Sequence, residues 1–209
     1  QWVRPSLFIE LPGQTQVNLE YLNSREVFKG QMFEGISVGE VYVSSRFSET
    51  VALETTYSFG RTIWRTFQNT PVLGNSRQFA LYLTIKPTRR LVFTPSFNYA
   101  RMDYPEAYLR DHPGTAGNIY EGYIIRPKLT YQFTREWFLR LVVQYDDFSN
   151  DLSVEPLLTY RLNPFTIFYI GATSRYQHWE ANDYTDLSES RWDLTSRQFF
   201  AKFQYLFRL

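Results

Sequence analysis

Arg126, Lys128, Arg140, Glu155, Arg161, Arg175 and Lys202 each fall on the polar side of a segment that alternates apolar and polar residues. Six cations and one carboxylate along one surface can act in two ways. Left open to water, they form a selectivity surface for polar or anionic solutes. Paired, they hold a filled interior together, because cross-strand neighbours approach to about 5 Å. Arg140 or Arg161 is the expected partner of Glu155. No catalytic residue, cofactor or metal is expected. His112 and His178 fall in long polar links, and a catalytic reading would combine either with Asp146 and Asp147, since a base with carboxylates can activate water. Two histidines beside ordinary acidic surface need no such role. Glu180, Asp183, Asp186 and Glu189 offer hard oxygen ligands, but their spacing fits no EF-hand loop. There is no cysteine, which removes thiol chemistry. No serine sits in a nucleophile elbow, and no glycine loop is built for phosphate. Trp64, Phe67, Tyr104, Tyr108, Trp179 and Tyr184 in the links could bind a sugar or partner, or cap a mouth.

The elements that would position these residues are strands. Successive side chains on a strand point to opposite faces. Phe199, Ala201, Phe203, Tyr205, Phe207 and Leu209 share one parity; Gln198, Phe200, Lys202, Gln204, Leu206 and Arg208 share the other, a mixed face with charges spaced along it. The same pattern runs through 152–162, 137–146, 119–132, 90–101, 77–86, 50–62 and 14–23. With less regular stretches at 3–11, 32–46 and 166–177, and the last at 191–208, the chain reads as about eleven strands, or twelve if one is missed. Ile36 and Val38 are out of phase with Val41 and Val43, so a bulge is expected near Gly39. Pro95 and Pro156 interrupt a ladder's hydrogen bonds and are expected at bulges or near an interface. Gly39 and Gly171 are expected at bulges or crowded positions.

Composition narrows the class. The chain has 39 aromatic residues, 19% of the total, a net charge of +1, and eighteen arginines against four lysines. That balance gives no broad basic surface for nucleic acid. No apolar run is long enough for a transmembrane helix. The strands are long, often ten residues or more, where ordinary strands cluster near 5–6 and a tilted membrane strand needs about 9–11. Aromatic residues gather at strand ends on the apolar parity, as amphipathic rings at a headgroup level would. Connections alternate: short turns near 12–13, 48–49, 87–89, 134–136 and 163–164, and longer links near 24–31, 63–76, 102–118 and 178–190, with 147–151 in the same phase. These features predict residues 1–209 to be one all-β, antiparallel transmembrane β-barrel of a bacterial outer membrane. A soluble β-sandwich binding module is the alternative. The seven charged residues would then line the lumen, with Glu20 and Glu54. A structural or complex-forming barrel with a filled lumen is the leading expectation; a passive or gated channel is the other. Outer-membrane lipid and lipopolysaccharide are the expected surroundings.

Eleven strands put Gln1 and Leu209 on opposite sides, whereas such barrels usually have an even number. Either a strand is miscalled or this is the C-terminal part of a larger barrel, completed by missing strands or a protein partner. The latter is the expectation. Gln1 shows no signal-peptide feature, so one was processed off or the chain begins inside a longer protein.

The stretches Arg126-Pro127, Tyr131-Gln132-Phe133-Thr134, Leu139-Arg140, Leu157-Leu158-Thr159-Tyr160, Leu162-Asn163-Pro164, Phe168-Tyr169-Ile170-Gly171 and Phe203 to Arg208 resemble the C-terminal barrels of a family of Bacteroidetes-like outer-membrane proteins. Those proteins carry an N-terminal carbohydrate-binding family 9-like module, and their barrel has no assigned function. The resemblance covers about 118–209. This sequence has no such module, so no saccharide site is implied here. The last strand also resembles the signal read by the barrel assembly machinery, through Phe203, Tyr205, Phe207 and Leu209, with leucine in place of the usual final aromatic.

Overall fold

A computed structural model describes residues 1–65, 70–180 and 190–206. The described residues form an all-β fold, an antiparallel sheet of fourteen strand segments with one short helix. In chain order these are β1 (Trp2–Val3), β2 (Ser6–Leu11), β3 (Thr15–Phe28), β4 (Gln31–Ser45), β5 (Val51–Trp64), β6 (Val72–Thr88), β7 (Leu91–Thr94), β8 (Ser96–Asp103), α1 (Glu106–Asp111), β9 (Asn118–Ile125), β10 (Lys128–Gln132), β11 (Trp137–Asp146), β12 (Asp151–Asn163), β13 (Thr166–Trp179) and β14 (Arg191–Tyr205).

Three of the joins between segments are prolines rather than turns. Pro5 separates β1 from β2, which share the partner β3 in one register. Pro95 separates β7 from β8, and Pro127 separates β9 from β10, which keep one register against β11. Proline has no N–H to give a ladder. Arg126, one residue earlier, still exchanges both backbone bonds with Ser96, at 2.8 and 3.2 Å. Counting each interrupted pair as one, the described chain makes eleven passes, as the sequence predicts.

Several expectations are corrected. The ladders run unbroken through Gly39, which pairs with Tyr21 and Phe59; the β3–β4 shift lies instead between Ser24 and Glu26, opposite Gly35. Gly39 is a crowded position, since a Cβ there would lie 2.9 Å from the Phe59 ring. Pro156 makes no bulge: β11–β12 stays in register through Leu141 and Pro156. The expected link at 24–31 is a two-residue turn, Lys29-Gly30, with φ of 50° and 77°. Both values suit a tight hairpin. The alternation of short and long connections therefore fails at this end. The link at 102–118 contains α1.

The chain forms two compact units, Gln1–Tyr82 with Phe97–Tyr123, and Leu83–Ser96 with Ile124–Leu209. In the first unit, Leu7, Leu19, Val41 and Tyr57 align across β2 to β5. Toward the Lys29-Gly30 end a small core forms from Phe33, Ile36 and Ile63, packed by Phe28 and Leu73. Met102 is 1% exposed, and its side chain lies 3.1 Å from where a Gly74 Cβ would stand. In the second unit, β10 to β14 run as consecutive antiparallel hairpins.

Candidate pore-lining face

Register in the second unit sorts side chains into two faces. One face holds Phe93, Leu129, Leu141 and Pro156 in one row, and Tyr131, Leu139, Leu158, Ile170 and Ala201 in the next. Aromatic residues bound it at both ends. Near the short turns lie Trp137 and Tyr160, 4.6 Å between ring centroids, with Phe168 and Phe203 in the same row. At the other end lie Tyr145, Tyr176 and Trp192, with the Tyr145 and Trp192 rings 6.0 Å apart. Trp137 and Tyr145 are eight residues apart on β11, and Phe168 and Tyr176 eight apart on β13. At about 3.4 Å per residue that is roughly 27 Å along the strand. Tilted about 40°, it spans about 21 Å vertically, close to the height of an outer-membrane apolar band. This face is open: Ile170 is 50% exposed and Phe199 77%.

All seven predicted residues fall on the opposite face. Lys128 stands opposite Thr94 and Val142, and Val142 opposite Glu155. The next row runs Thr130, Arg140, Leu157, Gly171 and Phe200. Arg175 sits opposite Ser153 and Ser196. Arg126 flanks β10 beside Ser96. The expected pairing of Arg140 or Arg161 with Glu155 does not occur. Glu155 faces Val142, which is 3% exposed, and Arg140 faces Leu157. The Arg161 guanidinium lies over the Phe138 ring at 4.8 Å, and the Lys202 ammonium lies 5.9 Å from the Tyr169 ring. These are cation–π contacts, which leave the charge in place. Among the described residues, ion pairs join Arg4 to Glu20, Arg65 to Glu26, Arg101 to Asp103 and Glu121, and Arg191 to Asp193, and none uses the seven. Arg65 lies just past β5, and its hydrogen bond to Glu26 raises its pKa further above the ordinary arginine value.

Charge on this face is graded along the strands. Asp146, Asp151, Gln177 and Asp193 form one cross-strand row at the end away from the short turns. Beside it is a polar cavity of about 350 Å³ lined by Gln144, Asp146, Asp151, Ser153, Glu155 and Arg175, with Leu152. The sequence reading missed the Asp151 contribution, although its parity with Ser153 and Glu155 is legible. It also missed Arg197, whose parity places it with Phe199 on the apolar face.

Other candidates separate. His178 pairs with Trp192 on the apolar face, 4.9 Å between rings, whereas Asp146 is on the polar face, so these two do not meet. His112 stacks on Tyr108 at 4.1 Å, and Tyr108 on Tyr104 at 4.7 Å, with Trp64 edge-on to Tyr104. Tyr104, Tyr108 and His112 thus cover one another's faces, while Trp64 closes β5. Phe67, Tyr184, Asp183, Asp186, Glu189, Phe207, Arg208 and Leu209 lie outside the described residues. Phe203 and Tyr205 stand on the apolar face of β14, opposite Phe168 and Thr166.

Two solved porins resemble the chain. One is described as KdgM porin in complex with disordered oligogalacturonate, 12% identical, with a TM-score of 0.37, over 99% of this chain and 92% of that one. The other is KdgM porin, 13% identical, with a TM-score of 0.36 over the same shares. No family model matches the chain, and no curated protein matches it.

Proposed function

We propose that this chain is an outer-membrane β-barrel protein whose polar face lines a hydrated passage for polar or anionic solutes. One observation carries the reading. In the second unit six cations share a face with no ion pair, opposite an apolar band bounded by aromatic rows. The band suits a bilayer: a charge at its middle would cost about 2–4 kcal/mol, so the cations belong on the other side. Unpaired cations in contact with water suit conduction. A filled, structural barrel would draw its cohesion from Arg–Glu pairs across that face, and among the described residues none of these six cations makes one. The 147–150 end faces outward and the short turns face the periplasm in this reading. Phe203 and Tyr205 fit recognition by the assembly machinery, and kinship to the Bacteroidetes-like barrels rests on the motifs of 118–209. Reconstitution in a planar bilayer under a salt gradient tests the proposal. Conductance with a reversal potential favouring anions is expected. A protein that inserts intact and never conducts refutes it.

A further inference from the structure

We propose that Arg197, Ser174 and Tyr176 bind a phosphate of a glycolipid headgroup at the outward edge of the apolar band. This rests on the membrane orientation above. Ser174 pairs with Val154 and Arg197, and Tyr176 with Leu152, which places the group on the apolar face. Arg197 donates from Nε to the Ser174 hydroxyl and from Nη2 to the Tyr176 hydroxyl, each at 3.2 Å. Both acceptors are neutral, and no ion pair among the described residues involves Arg197. An uncompensated cation on a lipid-facing surface is costly near the midplane and cheap only near an interface. The Arg197 backbone stands level with Ser174, but its guanidinium reaches the hydroxyl of Tyr176, in the aromatic row, as a snorkelling side chain does. A guanidinium has five donors, and these contacts use two. The rest suit a phosphate, which accepts bidentate bonds. The ring contacts of Trp192 with Tyr145 and His178 lie on the same face, where the apolar side of a pyranose could rest. Charge complementarity and this aromatic flank favour a phosphorylated glycolipid over a glycerophospholipid.

The test uses the folded protein in detergent micelles, with lipid binding read by native mass spectrometry. Probes are bis-phosphorylated lipid A, the same lipid dephosphorylated, and phosphatidylglycerol. At least tenfold tighter binding of the phosphorylated glycolipid is expected, and Arg197→Gln should lose that preference while keeping wild-type conductance. Tyr176→Phe and Ser174→Ala should each weaken it by a smaller factor, and they serve if the arginine variant does not fold. Equal affinity in wild type and R197Q, or equal binding of phosphatidylglycerol, would overturn the assignment. A wild-type protein that binds the lipid but never conducts would leave this site standing and defeat the channel reading instead.

Discussion

Leu141 is the residue on which the membrane reading is most exposed to refutation. It lies four residues from Trp137 and four from Tyr145, on the apolar face, opposite Leu129 and Pro156. At about 3.4 Å per residue and a tilt near 40°, each aromatic row is roughly 10 Å away vertically. Leu141 therefore sits at the centre of the band. Leu141→Arg should cost about 2–4 kcal/mol in a bilayer, which is roughly a 30- to 1000-fold loss in the folding equilibrium. The cost should fall with depth, to about 0–1 kcal/mol at Tyr145→Arg near the interface. Thr173→Arg, on the polar face of β13, should cost little, because Arg140, Arg161 and Arg175 already occupy that face. The assay is equilibrium unfolding in phospholipid vesicles, followed by tryptophan fluorescence. A profile flat from Leu141 to Tyr145 would show that no hydrocarbon surrounds this face. A Thr173 variant as damaging as the Leu141 variant would show that the faces are assigned the wrong way round.

Other perturbations follow from the same geometry. Gly171→Val should destabilise by about 1–3 kcal/mol through overpacking, since a Cβ there would stand 2.5 Å from the Phe200 ring; Phe200→Ala in the same chain should recover part of it, read by unfolding midpoint. Arg140→Glu with Lys202→Glu should move the zero-current potential toward cations under a salt gradient. An unmoved potential would show that this face does not line the path. Asp146 and Asp151 stand directly opposite each other. Like charges so placed are unfavourable, so Asp151→Asn should stabilise by about 0.2–1 kcal/mol, measured by denaturant midpoint.

The sequence made the faces legible, because parity depends only on counting along one strand. Lys128, Arg140, Glu155, Arg161 and Lys202 each sit where their parity places them. It did not make the neighbours legible, because a neighbour depends on register between strands. Gly39 shows the limit. The phase change between Val38 and Val41 reads as a bulge only if one face must stay polar. In the structure the polar parity turns apolar near that end, where Ile36 joins Phe33 and Ile63, and the extra residue of β4 falls between Phe33 and Ile36 rather than at Gly39. The polar run from Ser24 to Glu26 read as a link for a related reason. It is strand, and Glu26 is satisfied by Arg65, far along the chain.

The choice between an open and a filled passage turns on that same distinction. From parity, Arg140, Arg161 and Glu155 share a face, and charge pairing follows as a fair expectation. Register then inserts Val142 between Lys128 and Glu155, sets Leu157 against Arg140, and leaves Arg161 over Phe138. Lys128, Arg140 and Arg161 each keep a neutral neighbour where a carboxylate would have cancelled the charge. Shifting β12 by two residues along β11 would preserve both faces and place Glu155 opposite Arg140. It would also slide the Trp137–Tyr160 and Tyr145–Leu152 ends of the apolar band out of line. The register that keeps the apolar band in line is therefore the one that keeps these charges apart, and the cationic face and the apolar face are consequences of one strand alignment.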